Sequence, residues 1–321
     1  MRLVIGRFLP MFVSAAIAAS CAHHPVPSSL TQAPTPDRTS PSAALAELWV
    51  QPQPDRDLFN GVGGARLAPD PFANYSVIKI KKGGFSEGYT VVDPARRVWS
   101  AKLYPEARTE VVASRIVWAV GYHQPPAYAL EGWLAKGARS ENPQPVARFR
   151  EETPDFHGLT EAGPWSYAEN PFVGTQPLKG LLVLNVMLAN SDLKAGNNML
   201  YALSERFEGA RRWYVARDLG QTFGRTGLLD GLRDDVDEFD QSGFIKGVEN
   251  GMVKFEYNGL NKALLQEITP ADVVWIASRL SKLTDRQWSD AFRAGGYAEP
   301  TAQRYIRRLK LKIAQGLELE R

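Results

Sequence analysis

The sequence predicts an α+β body in two parts, a small β-rich part with one main helix followed by a larger, mostly helical part. Three observations carry this reading. Short runs of alternating apolar and polar residues cluster around glycine turns between Ser76 and Leu103. A strongly apolar run of helical length spans Leu178 to Ala189, and the chain from Thr269 onward reads as helices. The 321 residues are 44% hydrophobic and 23% charged, enough for the core of one large domain or two modest ones. That composition excludes global disorder, a collagen-like repeat and a multi-span membrane protein. A single cysteine excludes an intramolecular disulfide and a cysteine-cluster metal site.

Residues 1–20 have the layout of a secretory signal peptide: a short basic start with Arg2 and Arg7, an apolar stretch from Phe8 to Ala19, then small residues. The apolar stretch is shorter than the ~20 residues a membrane-spanning helix needs. The lone Cys21 follows Ala18, Ala19 and Ser20, and this resembles a bacterial lipoprotein lipobox, with Ala18 where Leu is usual. The resemblance implies acylation of Cys21 and attachment to the bacterial cell envelope, facing the periplasm or cell surface. Residues 21–46 are dense in Pro, Ser and Thr and read as an extended tether. The formal charge of +3 includes both arginines of the leader, so the remainder is close to neutral. Nothing in it points to nucleic acid, and the membrane is expected to be met through the lipid alone.

Within the body, Ser76 to Lys82 alternates as a strand, and Gly83, Gly84 and Gly88 punctuate a tight turn. Tyr89 to Val92 and Val98 to Leu103 are further strands. Pro105 opens a helix that Gly121 ends, with Val112, Ile116 and Ala119 or Val120 at helical spacing. Strand candidates follow near Ala127 to Leu134 and at Val146 to Arg150, and Glu151 to Thr175 reads as loop. After the apolar helix comes the polar stretch Asn190 to Asn198, then strands at Met199 to Leu203 and Trp213 to Ala216. Helices are expected over Ala271 to Leu283, Asp285 to Ala294 and Pro300 to Leu319, with Thr269 and Thr284 as caps. The expected division places the first part at residues 47–130 and the second at 131–321. Trp118, Trp165, Trp213 and Trp275 are assigned to packing.

Chemistry-bearing residues fall in four places. Asp192-Leu193-Lys194-Ala195-Gly196-Asn197 matches the DLKxxN pattern of protein-kinase catalytic loops. Such a match arises by chance in roughly one chain of this length in a few hundred. The spacing suits an Asp that orients an acceptor hydroxyl, a Lys that meets phosphoryl charge, and an Asn that turns back towards Mg²⁺. Asp218-Leu219-Gly220 follows about twenty residues later, where a second hard oxygen ligand for Mg²⁺ belongs. Upstream, Lys102 ends the third strand and Glu110 lies in the helix after it, with Glu106 as its rival at the helix start. The turn bearing Gly83, Gly84 and Gly88 suits a cover of backbone N–H groups over phosphates. It is neither GxGxxG nor GxxxxGK[ST], and Gly61 to Gly64 reads as an ordinary loop.

Taken in order, Lys102, Glu110, DLKxxN and DLG resemble the protein-kinase-like superfamily. The short spacing from Lys102 to Glu110, and the two strands between Asn197 and Asp218, are more similar to its atypical branches: HipA-type, phosphatidylinositol-kinase-like and secreted kinases. The resemblance covers about residues 75 to 225. It implies a two-lobed kinase-like fold, Asp192 as catalytic Asp and Lys194 as its phosphate-facing neighbour. It further implies Asn197 and Asp218 on Mg²⁺, and Lys102 with Glu110 placing ATP. Asn190-Ser191 stands where His-Arg is usual, and no Ala-Pro-Glu follows Gly220. The implied activity is Mg·ATP-dependent phosphoryl transfer to a hydroxyl on protein, lipid or a small molecule, with a catalytically silent nucleotide- or partner-binding scaffold as the alternative. Other chemistries lack support: there is no GxSxG, and His123 and His157 sit in no metal-ligand spacing. The acidic run Asp234, Asp235, Asp237, Glu238 and Asp240 lacks calcium-loop spacing and reads as a solvated face.

Overall fold

The computed structural model describes residues 44–81, 86–227 and 232–320. The expected leader, Cys21, most of the tether, and Gly83 and Gly84 lie outside the described residues. Among the described residues no helix is long and apolar enough to cross a membrane.

The α+β class holds. Strands β1 (Asn74–Lys81), β2 (Gly88–Val92), β3 (Val98–Leu103), β4 (Tyr128–Leu130), β5 (Leu134–Lys136) and β6 (Ala147–Glu151) form one sheet. Their order is β4-β6-β3-β2-β1-β5, with β5 parallel to β1 and the other pairs antiparallel. Side chains alternate across such a sheet, so each strand contributes two sets of residues. Trp99 and Ala101 of β3, Phe149 of β6, and Tyr89 and Val91 of β2 are buried with Tyr75 and Trp133 in one apolar core. Trp133 meets Phe149 edge to face at 5.0 Å. The alternate positions carry Ser100, Lys102, Arg148 and Arg150, and the register sets Lys102 opposite Arg148 and Ser100 opposite Arg150. One face of the sheet is therefore apolar and the other polar and cationic. The sheet reaches Glu151, past residue 130, because β6 inserts between β3 and β4.

Helix α1 (Ala107–Ala119) packs on β6 and β4 and sends Val112, Ala113, Ile116 and Val117 into the core of the helical part. That core centres on α2 (Gln176–Met187), which is buried along almost its whole length. Thr175 caps α2 by accepting from Leu178 N, and Pro177 occupies its first turn. A three-stranded sheet, β7 (Thr160–Gly163), β8 (Asn198–Phe207) and β9 (Ala210–Ala216), follows in that order. The rest comprises α3 (Val236–Gln241), the hairpin β10 (Ile245–Glu249) and β11 (Met252–Phe255), α4 (Pro270–Leu280), α5 (Asp285–Ala294) and α6 (Glu299–Leu317). Thr269 and Thr284 each form a reciprocal capping box, with Asp272 and Gln287.

Three features depart from the sequence reading. β7 lies inside the stretch expected as loop; its residues Thr160-Glu161-Ala162-Gly163 show no apolar alternation. The β10–β11 hairpin was marked by Asn250-Gly251, both at positive φ as a two-residue hairpin turn requires. The acidic run is structural: Asp235 caps α3, Asp237 and Asp240 bind Arg304, and Asp234 bonds Tyr297 and Tyr305.

Before β1, residues 44–73 run across both parts. Tyr214 N donates to the Glu47 carbonyl at 2.9 Å, and Trp49 Nε1 donates to Val120 O at 2.7 Å. Arg279 lies over the Trp49 and Trp275 rings, 3.6 Å from the latter. Arg56 stacks on Trp118 and pairs with Glu208 at 3.0 Å. Gln287 Nε2 donates to the Pro54 carbonyl at 3.0 Å, and an Arg97 guanidinium nitrogen donates to Leu67 O at 2.8 Å. Gly61, in the expected loop, has φ of +68° and lies directly on the Arg115 guanidinium, where a Cβ has no room.

Candidate active site

The cationic face of the sheet, the first turn of α1 and the loops after α2 and β9 enclose a cleft of about 380 Å³. Lys102, Glu110, Asp192, Lys194, Asn197, Asp218 and Gly88 all line it. Lys102 of β3 thus shares a cleft with residues from segments 90 and more positions away.

Lys102 is the hub. Its Nζ lies 2.9 Å from Glu110 Oε2, 3.2 Å from Glu106 Oε2, and in direct contact with Asp218 Oδ1. Both candidate glutamates therefore hold it. Glu106 occupies the N-cap position of α1 without capping it, and its other oxygen binds Arg233. Glu110 is shared with Arg148, whose Nε lies 2.9 Å from Oε1. Burial alone would push the Glu110 carboxyl up, but Arg148 and Lys102 outweigh it and hold the group well below the usual carboxylate range. Burial likewise pulls the Lys102 ammonium down, and Glu110, Asp218 and Glu106 together keep it above the ordinary lysine value.

The loop after α2 is fixed by buried amides. Asn185 Nδ2 donates to Leu181 O, Asn190 Nδ2 to Asn185 Oδ1 at 2.7 Å, and Asp192 N to Asn190 Oδ1 at 3.0 Å. Asn261 Nδ2 secures the Leu193 carbonyl at 2.8 Å. Ser191 receives Gly227 N on its hydroxyl and Leu260 N on its carbonyl. This scaffold places Asp192 with Oδ2 2.8 Å from Lys194 Nζ, while Oδ1 is buried without a hydrogen-bond partner among the described residues. A buried carboxylate oxygen left open in a cleft is a group awaiting a donor. Asn197 ends a short 3-10 turn, and its Nδ2 donates to the Asp192 carbonyl at 3.0 Å. Its Oδ1 takes no hydrogen bond among the described residues.

Asp218 follows β9 in the left-handed region, at φ of +59°. The next turn is latched to α1: Thr109 Oγ1 donates to Gly220 O at 2.8 Å, and a Cβ on Gly220 would stand 2.5 Å from Glu106 Cβ. The glycine of this triplet is thus required by close approach. Gly88 lies opposite Lys102, where a Cβ would sit 2.8 Å from the Ala101 carbonyl.

Among the described residues no group of three or more His, Cys, Asp or Glu side chains is arranged as a metal site. Mg²⁺ does not require one, since it takes one or two protein oxygens with the rest from water and phosphate. The donor set fits that pattern: Asn197 Oδ1 and the Asp218 carboxylate are hard oxygens on one cleft.

Sequence reasoning passed over Arg148, Arg150 and Arg217, although Arg148-Phe149-Arg150 alternates in the way that puts two arginines on one strand face. Among the described residues Arg150 forms one ion pair, with Glu110 Oε1 at 3.8 Å, and burial with Arg148 beside it pushes its pKa down to about 10. Arg217 binds Glu161 and the Tyr201 hydroxyl. A second cavity of about 400 Å³ adjoins the cleft and shares Lys81, Ser100, Arg150 and Arg217 with it.

No family model matches the chain, and no curated protein matches it. Among solved structures, the crystal structure of a Helicobacter pylori proinflammatory kinase, CtkA, is similar to it at 11% identity and a TM-score of 0.48, covering 77% of this chain and 95% of that one.

Proposed function

We propose that the chain is an envelope-anchored, kinase-like phosphotransferase that moves a phosphoryl group from a Mg²⁺-bound nucleoside triphosphate to a hydroxyl. The observation that carries this reading is the convergence of Lys102, Glu110, Asp192, Asn197 and Asp218, drawn from four separate segments, on one cleft. Phosphoryl transfer asks the protein mainly for positioning and for charge opposite the phosphates. Lys102, held by Glu110 and Glu106, presents its amine to the donor phosphates. The open Asp192 Oδ1 accepts the proton of the acceptor hydroxyl, and Lys194 faces the transferring group. Asn197 and Asp218 would hold Mg²⁺, which when bound neutralises charge on the phosphate oxygens. Gly88 borders the phosphates, and the neighbouring Gly83 and Gly84 belong to the same proposed cover. ATP is the donor expected from the sequence, and the lipid on Cys21 is the proposed anchor.

The test is a thermal-shift titration of the purified protein with nucleotide and Mg²⁺, alongside an assay for γ-phosphate transfer. A ligand that binds only the folded state raises Tm with concentration over Kd. Absence of any shift removes the nucleotide-binding reading. A shift without transfer to any protein, lipid or small-molecule hydroxyl favours the silent scaffold. Anchoring is checked separately: Cys21→Ala is expected to move the protein from the membrane fraction to the soluble fraction.

A further inference from the structure

Resting on that nucleotide reading, we infer that the base recognised is a 6-oxopurine, so that GTP is preferred to ATP, and that Arg150 is the residue that reads it. If the phosphates lie against Lys102 and Asp218, the base falls in the adjoining cavity, which shares Lys81, Ser100, Arg150 and Arg217 with the cleft. Pro125, Pro126, Leu159 and Tyr201 are among the residues that line that cavity. What stands at its junction with the cleft is Arg150, a cation held only by a long ion pair. Glu110 already has Arg148 and Lys102 each at 2.9 Å, and Arg150, third in line at 3.8 Å, makes no side-chain hydrogen bond among the described residues.

Guanidinium carries only donors. Guanine offers two adjacent acceptors, O6 and N7, which an arginine fork matches in bidentate fashion, whereas adenine sets an amino donor at the first of these positions. An adenine there would place donor against donor and leave buried polar groups unpaired. The neighbouring cations point the same way, since Lys81 lines both spaces and its amine is bonded to Ser100 Oγ at 2.8 Å. Glu152 lines the same cavity as an acceptor for the guanine N1–H and N2 amine, and Glu161, whose Oε1 is on Arg217, keeps its second oxygen on that wall.

The experiment measures Kd for GTP, ITP and ATP, each with Mg²⁺, on the purified full-length protein and on Arg150→Gln. The wild type is expected to bind GTP and ITP about tenfold or more tightly than ATP, in line with one bidentate contact. Glutamine reads the adenine N6/N7 edge, so Arg150→Gln is expected to reverse the order. Arg150→Met serves as a second variant, expected to level the affinities, and the Tm of each ligand-free variant reports folding. Binding of ATP as tight as GTP in the wild type overturns the base assignment while leaving the nucleotide reading intact. A GTP preference that survives both substitutions overturns the role of Arg150. If none of the three nucleotides binds, the nucleotide reading itself falls, and the base assignment with it.

Discussion

The Lys102 amine and the Asp218 carboxylate are in direct contact, although 116 positions separate them in the chain. The two groups thus neutralise each other across the cleft. On the proposed reading, a triphosphate with its metal would part them, giving each a partner of opposite sign.

Asp218→Ala takes one carboxylate from Lys102 and leaves it Glu110 and Glu106, so the fold is expected to persist. The variant should keep metal-free nucleotide binding and lose the extra rise in Tm that Mg²⁺ brings to the wild type. Transfer should fall by about 10²–10³, the scale of losing one preorganised electrostatic group. Tm with and without Mg²⁺ checks this, and an undiminished metal increment would count against Asp218 as a ligand.

Glu110→Gln leaves Arg148 and Lys102 facing a neutral amide in a buried setting. Breaking such a pair costs about 3–5 kcal/mol, here at the low end because Lys102 keeps two other carboxylates. Urea unfolding of the two proteins gives the difference. The sign with pH follows from the depressed carboxyl. Its contribution is complete above the unfolded value of about 4.3 and is lost as pH falls towards the folded one. Wild-type stability should therefore drop on acidification below about pH 4.5, and the variant's curve should be flatter there.

His123 is a second pH-sensitive group, remote from the cleft. It stacks on Trp213 at 4.7 Å with the rings 3° from parallel, and its Nε2 meets the Ala46 carbonyl at 2.7 Å. Burial pushes its pKa down to about 4, against about 6.5 unfolded. The unfolded chain binds the extra proton between those values, so stability is complete above pH 6.5 and declines by about 3 kcal/mol on the way to pH 4. His123→Phe keeps the stack and should remove that slope in calorimetry across pH 4 to 7. An unchanged slope would place the titration elsewhere.

Gly121→Ala tests the end of α1. Gly121 has φ of +107°, and a Cβ there would lie 2.1 Å from Val50 O and 2.5 Å from Trp49 Nε1. Strain and displacement of that segment together are expected to lower stability by about 2 kcal/mol or more, read by thermal unfolding and by the Trp fluorescence of the Trp49 region.

Much of this architecture was legible because two periodicities were clean. Val98 to Leu103 puts Trp99, Ala101 and Leu103 on one face and Ser100 and Lys102 on the other, and the strand lies where that alternation places it. Thr269 and Thr284 announced their helices through side chains that satisfy backbone donors. The site residues were legible as local spacing; what local spacing does not contain is register. Nothing near Arg148 says that it faces Lys102 across a ladder, and Glu106 looked like a helix-start carboxylate until Arg233, 127 positions later, closed on it. β7 was hidden for a different reason: it is recruited by pairing with β8, not by apolar alternation of its own.

The stretch before the first strand also decides where the gene can be cut. A recombinant fragment opening at Asn74 would look complete by strand count, yet it would strip Trp118 of Arg56, Trp275 of Trp49, and the Tyr214 amide of its acceptor. Aromatic surface on two separate elements would be laid bare and a strand amide on a third left unpaired, and aggregation on expression is the foreseeable result. Starting no later than Ala44 keeps that girdle fastened.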